Sequence, residues 1–202
     1  MKKIKNIIFD LGGIIVDLDI MKCTESFARL GISPDKIDVK ELMHMMDIGD
    51  MDEQGFIDAL LPQCIPGTKG QDLVDAYNNI LHLPRHRLER IAKLHGKYHT
   101  FLLSNLGDIH WREMKRLSTD FGMQFESLFD QLFLSFQLRM TKPDERIFQH
   151  LIQQTGIAPS ETLYIDDLED NITAGKKAGL VTCQVPMNGL DEVLDDIIRE
   201  IQ

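Results

Sequence analysis

The chain has 202 residues, of which 22 are Lys or Arg and 32 are Asp or Glu, for a formal net charge of −10. That length suits one domain, or one domain carrying a smaller insert, and it can bury a substantial core. A composition of 43% hydrophobic and 27% charged residues excludes a disordered or fibrous chain, and the negative balance argues against general nucleic-acid binding.

From the amino terminus, Met1–Lys5 imitates the charged end of a secretory leader, but Asp10 interrupts the apolar stretch after Ile7-Ile8-Phe9, so no leader core follows. The first expected strand is Ile4–Phe9, followed by Asp10 and the pair Gly12-Gly13. Roughly ninety residues then precede the next strand, far more than a strand-to-helix connection needs. Within them Ile20–Leu30, Pro34–Met46, Glu53–Leu61 and Gln71–Leu81 carry helical periodicity with no convincing strand. Ser33-Pro34 offers an N-cap and a first-turn proline, while Gly49, Pro62, Pro66-Gly67 and Gly70 punctuate the helices. The interval reads as a helical subdomain over residues 18–84, with hinges near Val16–Asp19 and Pro84–Arg87.

Further strands are expected at Thr100–Leu103, Leu132–Phe136, Thr162–Ile165 and Val181–Val185. Helical stretches lie near His110–Arg116, Asp144–Gln154 and Asn171–Ala178, and amphipathic Leu190–Ile201 closes the chain. This alternation predicts an α/β fold, a doubly wound, mostly parallel, Rossmann-like sheet built from residues 1–17 and 85–202 with an inserted α-helical cap. Cys23, Cys64 and Cys183 are isolated and odd in number, the pattern of reduced thiols. No apolar run approaches membrane-spanning length, so a soluble, cytoplasmic protein without a membrane partner is expected.

Ligands of open parallel sheets bind beyond the carboxyl ends of the strands. The polar residues there are Asp10, Ser104-Asn105 and Asp166-Asp167, with Lys142 in the turn Thr141-Lys142-Pro143. Taken singly each has an ordinary reading, such as a helix N-cap for Asp10 or a solvated surface lysine for Lys142. Together they bring three carboxylates to one rim, where each like-charge contact at ~4 Å costs about 4 kcal/mol at an effective dielectric near 20. Such a group must bind a cation, shift its pKa values or be held apart. Oxygen donors favour Mg²⁺ or Ca²⁺ over zinc, and the histidines show no ligand spacing. A Mg²⁺ ion with an open position would accept a phosphoryl oxygen, with Lys142 and the Ser104 hydroxyl completing the phosphate contacts. The segment Asp50–Gly55 opens like a calcium loop, but Leu61 stands where the bidentate glutamate belongs.

Ile7-Ile8-Phe9-Asp10-Leu11-Gly12-Gly13 resembles the first motif of the haloacid dehalogenase-like hydrolase superfamily. Leu102-Leu103-Ser104-Asn105 is similar to its second, Lys142-Pro143 to its third, and Tyr164-Ile165-Asp166-Asp167 with Asn171 to its fourth, in the family's order. The resemblance implies a phosphatase in which Asp10 is the nucleophile and forms an aspartyl-phosphate. It also implies Mg²⁺ bound by Asp10, the Gly12 carbonyl and Asp167, with Asp166 either a second ligand or an outer partner. Ser104, Asn105 and Lys142 would hold the phosphoryl oxygens. The expected partner is a small phosphorylated metabolite, with sugar phosphates suggested by family members that share the Asp10-Leu11-Gly12 beginning.

Position 12 departs from the pattern, because most phosphatases of the family carry there a second Asp that protonates the leaving group. Either the substrate has a leaving group that needs little protonation, or Asp17 or Asp19 reaches back as a substitute acid. Two further readings follow from Gly12: a metal-independent 2-haloacid dehalogenase, and a non-catalytic member that binds a phosphometabolite.

Overall fold

The computed structural model describes residues 3–33 and 39–201. In chain order its elements are β1 (Asn6–Phe9), β2 (Asp17–Leu18), α1 (Ile20–Arg29), α2 (Val39–Asp47), α3 (Glu53–Leu60), α4 (Gly70–Asn78), β3 (Leu81–His82) and α5 (Arg85–His95). They continue with β4 (His99–Ser104), α6 (Asp108–Asp120), β5 (Gln131–Leu134), α7 (Ser135–Leu138), α8 (Glu145–Thr155), β6 (Thr162–Asp166), α9 (Glu169–Lys177), β7 (Val181–Gln184) and α10 (Leu190–Ile201).

Five of the strands form one parallel sheet in the order β5-β4-β1-β6-β7. The central strand, β1, is buried throughout, as an apolar run must be when helices cover both faces. Its side chains alternate accordingly. Ile7 and Phe9 join a cluster with Leu88 and Ile91 of α5, Trp111 of α6 and Leu194 of α10, whereas Ile8 packs with Phe148 of α8 and Ile172 of α9. The sheet is therefore wound on both faces. Phe9 pairs in register with Leu102 and Ile165, which sets Asp10 level with Asp166 at the carboxyl edge.

The helical insert leaves and rejoins the sheet through β2 and β3, an antiparallel pair with Asp17 opposite His82 and Leu18 opposite Leu81. No strand is legible there, because two residues are too few to display a period of two. Helices α3 and α4 bury Phe56, Leu60, Leu73 and Tyr77 around Met46 and Ile32, and Ile109 of α6 completes that cluster. Helix α2 begins its described part at Val39; the proposed start at Ser33-Pro34 and the residues to 38 fall, beyond Ser33, outside the described residues. Helix α5 is absent from the sequence expectations: its Leu88, Ile91 and Leu94 stripe is hidden among four Arg or Lys side chains, two histidines and Glu89. Phe136, expected to end a strand, lies in α7 instead. Among the described residues no helix is long and apolar enough to cross a membrane.

Arg87 holds the junction between sheet and insert. It is 2% exposed, and its guanidinium donates to the carbonyls of Ile14 (3.0 Å) and Ile15 (3.2 Å), to Asp17 (2.7 Å) and to Asp191 of α10 (2.7 Å). Removing it takes this donor from Asp17 and from the Ile14 and Ile15 carbonyls, while Asp191 keeps His86 and Arg90. Arg87→Ala is therefore expected to cost about 3 kcal/mol or more in urea denaturation, and Arg87→Lys to recover little, since an ammonium cannot span four acceptors with a planar fork. A loss below about 1 kcal/mol for Arg87→Ala would contradict this account.

Candidate active site

The segment after β1 turns tightly because one carbonyl collects three donors: Leu11 O accepts from Ile14, Ile15 and Val16 N–H at 3.3, 2.8 and 2.9 Å. Gly13 has φ +73°, and a Cβ there would lie 2.9 Å from Asp167 Oδ2, so both its backbone and its neighbour require glycine. This close approach brings the end of β1 against the end of β6. Asp10 itself is buried, and its N–H donates to Ile165 O at 2.9 Å.

Lys142 is the counterion at the centre. Its Nζ lies 2.8 Å from Asp10 Oδ1 and 2.7 Å from Asp166 Oδ2, with all three side chains at most 10% exposed. The Lys142 main chain is clamped by Asn105, whose Oδ1 accepts its N–H at 2.8 Å and whose Nδ2 donates to its carbonyl at 2.9 Å. The Asn105 amide, expected to hold a phosphoryl oxygen, is engaged in this structure with the Lys142 main chain. Ser104 is buried at the end of β4, beside this clamp.

Asp166 is fully buried and saturated with donors. It accepts from Lys142 Nζ, the Tyr164 hydroxyl, Leu168 N–H (2.9 Å) and Asn171 Nδ2 (3.0 Å). That favours the outer-partner alternative for this carboxylate. Burial pushes its pKa up, but the Lys142 charge and these hydrogen bonds outweigh burial and hold it below the usual carboxylate range. Asp10 goes the other way. Burial lifts it to about 6, with Lys142 only partly offsetting and Asp166 adding to the rise. Asp167 is also raised, first by burial and then by the charge of Asp166. For Lys142, burial alone would lower the pKa, but Asp10 and Asp166 raise it further than burial depresses it, so the ammonium is secure.

Asp10, Asp166 and Asp167 each offer an oxygen within 4.8 Å of the other two. Three carboxylates against one ammonium leave a surplus of two negative charges when all are ionised, which matches a divalent cation. Burial raises the Asp10 and Asp167 pKa values first, and the Asp166 charge adds to both. An all-oxygen donor set fits Mg²⁺, with Asp10 and Asp167 the carboxylates not already saturated by protein donors.

Gly12 contributes main-chain atoms only, and the room beside it is taken. A Cβ at Gly12 would lie 3.3 Å from Leu18 Cδ1. Asn188 fixes Leu18 there by accepting its N–H at 2.9 Å and donating to its carbonyl at 3.3 Å. Of the two residues expected as substitute acids, Asp17 is bound to Arg87, and Asp19 caps α1 by accepting from Lys22 N–H at 2.9 Å.

The insert meets this rim at the carboxyl end of α2. A Cβ on Gly107 would lie 3.0 Å from Met46 Cβ, and Gly49 is pressed against the Phe136 carbonyl. Arg139 donates to Gly49 O (3.1 Å) and pairs with Asp50 (3.2 Å). Asp50 and Asp52, the opening of the rejected calcium loop, are accounted for by that ion pair and by the N-cap of α3. Between these contacts stands Asp47, which no motif flags. Behind α2 the insert encloses an apolar cavity of about 400 Å³ lined by Leu18, Phe27, Met46, Phe56 and Tyr77 among others.

Residues 4–179 match the family model of haloacid dehalogenase-like hydrolases. Over 196 residues the chain is 33% identical to the D-ribitol-5-phosphate phosphatase of Bacteroides thetaiotaomicron, covering 93% of this chain and 94% of that one. A HAD family enzyme of the same organism, solved with magnesium and inorganic phosphate, has a TM-score of 0.84 at 29% identity, covering 91% of this chain and 95% of that one. A predicted HAD-like family hydrolase from Porphyromonas gingivalis reaches 0.86 at 29% identity, over 99% and 98% of the two chains.

A divalent cation at this site should stabilise the fold in a pH-dependent way. Asp10 and Asp167 have folded-state pKa values above their ordinary ones, so without the cation their contribution to stability falls as pH rises through about 4 to 6. The cation competes with those protons. Mg²⁺ is therefore expected to raise the Tm more at about pH 7.5 than near pH 5, as read by calorimetry; an equal or larger increment at the lower pH would contradict it.

Proposed function

The chain belongs to the haloacid dehalogenase-like hydrolase family and is an enzyme of its phosphatase kind; on that premise we propose that it hydrolyses a small phosphomonoester with Mg²⁺, through an aspartyl-phosphate on Asp10. The observation that carries this reading is the Lys142 ammonium held between the Asp10 and Asp166 carboxylates, with Asp167 alongside, at the carboxyl edge of the sheet. Asp10 Oδ attacks phosphorus, the ester oxygen leaves, and water then cleaves the acyl phosphate. Lys142 neutralises charge on the transferring group and keeps Asp10 ionised, and the Ser104 hydroxyl holds a phosphoryl oxygen. Asp10, Asp167 and the Gly12 carbonyl would hold Mg²⁺, which supplies further positive charge to the phosphoryl oxygens. Asp166 and Asn105 position Lys142 rather than touch substrate.

Residues 18–84 are assigned as the cap, which covers the rim and excludes water when seated. The substrate class is assigned as sugar or sugar-alcohol phosphates. The similarity over nearly the whole chain to a D-ribitol-5-phosphate phosphatase supports it. Haloacid dehalogenation is disfavoured by the carboxylate cluster, which without a cation would repel both an anionic haloacid and the attack of Asp10.

A screen of phosphomonoesters with and without Mg²⁺ tests the proposal. Hydrolysis should require Mg²⁺, and mass spectrometry of quenched enzyme should find one phosphoryl group on the peptide carrying Asp10. Asp10→Asn should lower kcat by at least ~10³-fold. Chloride release from 2-chloropropionate without Mg²⁺, together with no ester hydrolysis, would overturn the assignment.

A further inference from the structure

We propose that Asp47, at the carboxyl end of α2, is the proton donor to the leaving group, replacing from the insert the carboxyl that Gly12 lacks. The proposal rests on the phosphatase reading above and names the catalytic group that reading leaves unfilled.

The first support is elimination at the rim. Gly12 has no carboxyl, the space beside it is occupied by Leu18, and Asp17 and Asp19 are engaged by Arg87 and by the start of α1. Asp10 and Lys142 have other tasks, and Asp166 is saturated.

The second is placement. Met46 packs on Gly107, three residues beyond Ser104, while Gly49 packs on the Phe136 carbonyl beyond β5 and Arg139 grips Gly49 and Asp50. Asp47 lies between two points at which the insert is seated on the core. The groups whose charge reaches its carboxyl are His44 on its own helix and Lys142 and Asp10 on the core, while Tyr77 of α4 feels the charge of Asp47 in turn.

The third is the absence of a structural task. Among the described residues no hydrogen bond or ion pair engages the Asp47 carboxyl, and the end of a helix is where a carboxylate opposes the macrodipole. A carboxyl so placed has no polar partner among the described residues. Burial lifts its pKa to about 7, against the lowering charges of His44 and Lys142, so a protonated fraction persists near neutrality, as a general acid requires.

The step balances as follows. As the Asp10 oxygen–phosphorus bond forms and the ester phosphorus–oxygen bond breaks, the Asp47 proton passes to the departing oxygen, which leaves as an alcohol. The Asp47 carboxylate then takes a proton from the water that attacks phosphorus, and phosphate leaves with Asp10 and Asp47 restored.

The test compares wild type and Asp47→Asn, both with Mg²⁺, on glycerol phosphate and 4-nitrophenyl phosphate. An alkoxide needs the proton and a nitrophenolate hardly does. The variant should lose about 10²–10⁴-fold in kcat/KM on the alkyl ester and clearly less on the aryl ester. Equal losses on both esters, or no loss on the alkyl ester, would overturn the assignment while leaving the phosphatase reading intact. A wild-type enzyme that hydrolyses neither ester would overturn that reading, and this one with it. The thermal midpoint of the variant should match or exceed that of wild type; a lowered midpoint would make Asp47 a structural residue and refute the proposal.

Discussion

One ammonium group between two buried carboxylates is the constraint on which the centre of this molecule depends. Lys142 Nζ, 2.8 Å from Asp10 and 2.7 Å from Asp166, permits two acids to be buried side by side at the edge of a sheet. Without it their mutual repulsion and desolvation would have to be met by protonation. Much of the surrounding structure serves to place that one group. Asn105 grips its main chain from the end of β4, and Tyr164 and Asn171 hold Asp166 opposite. At Asp166 the Lys142 charge and the hydrogen bonds together outweigh burial, while burial prevails at Asp10. Asp10 is thereby the more basic of the two carboxylates.

The parts of the fold legible in the sequence are those with a strong period or an unmistakable end. Helix α10 has the bounds expected from its spacing of Leu190, Leu194, Ile197 and Ile201, and the five sheet strands stand where apolar runs announce them. Helix α5 was hidden because seven of its eleven residues are charged or histidine, leaving a narrow stripe. Strands β2 and β3 were hidden by brevity, and their pairing reflects the closure of the insert rather than any local preference.

The candidate site divides in the same way. Asp10, Ser104, Asp166 and Asp167 end or follow strands and Lys142 lies in the turn before α8, and such places can be counted. What each side chain grips cannot be counted, so neither the Asn105 clamp on the Lys142 main chain nor the pairing of Asp17 with Arg87 is visible in the sequence. Asp47 carries no signal at all. It sits in a helix whose local sequence predicts only packing, and its nearness to the rim exists only once the end of α2 is seated against Gly107 and Phe136.

The seating of α2 has a consequence for how the protein can vary. Gly107 and Gly49 leave no allowance for even one methyl group, the first against Met46 and the second against a peptide oxygen. The lining of the apolar cavity consists instead of interchangeable aliphatic, sulfur-bearing and aromatic side chains. Divergence can therefore resculpt the interior of the insert widely while two residues without functional groups keep its footprint on the core unchanged.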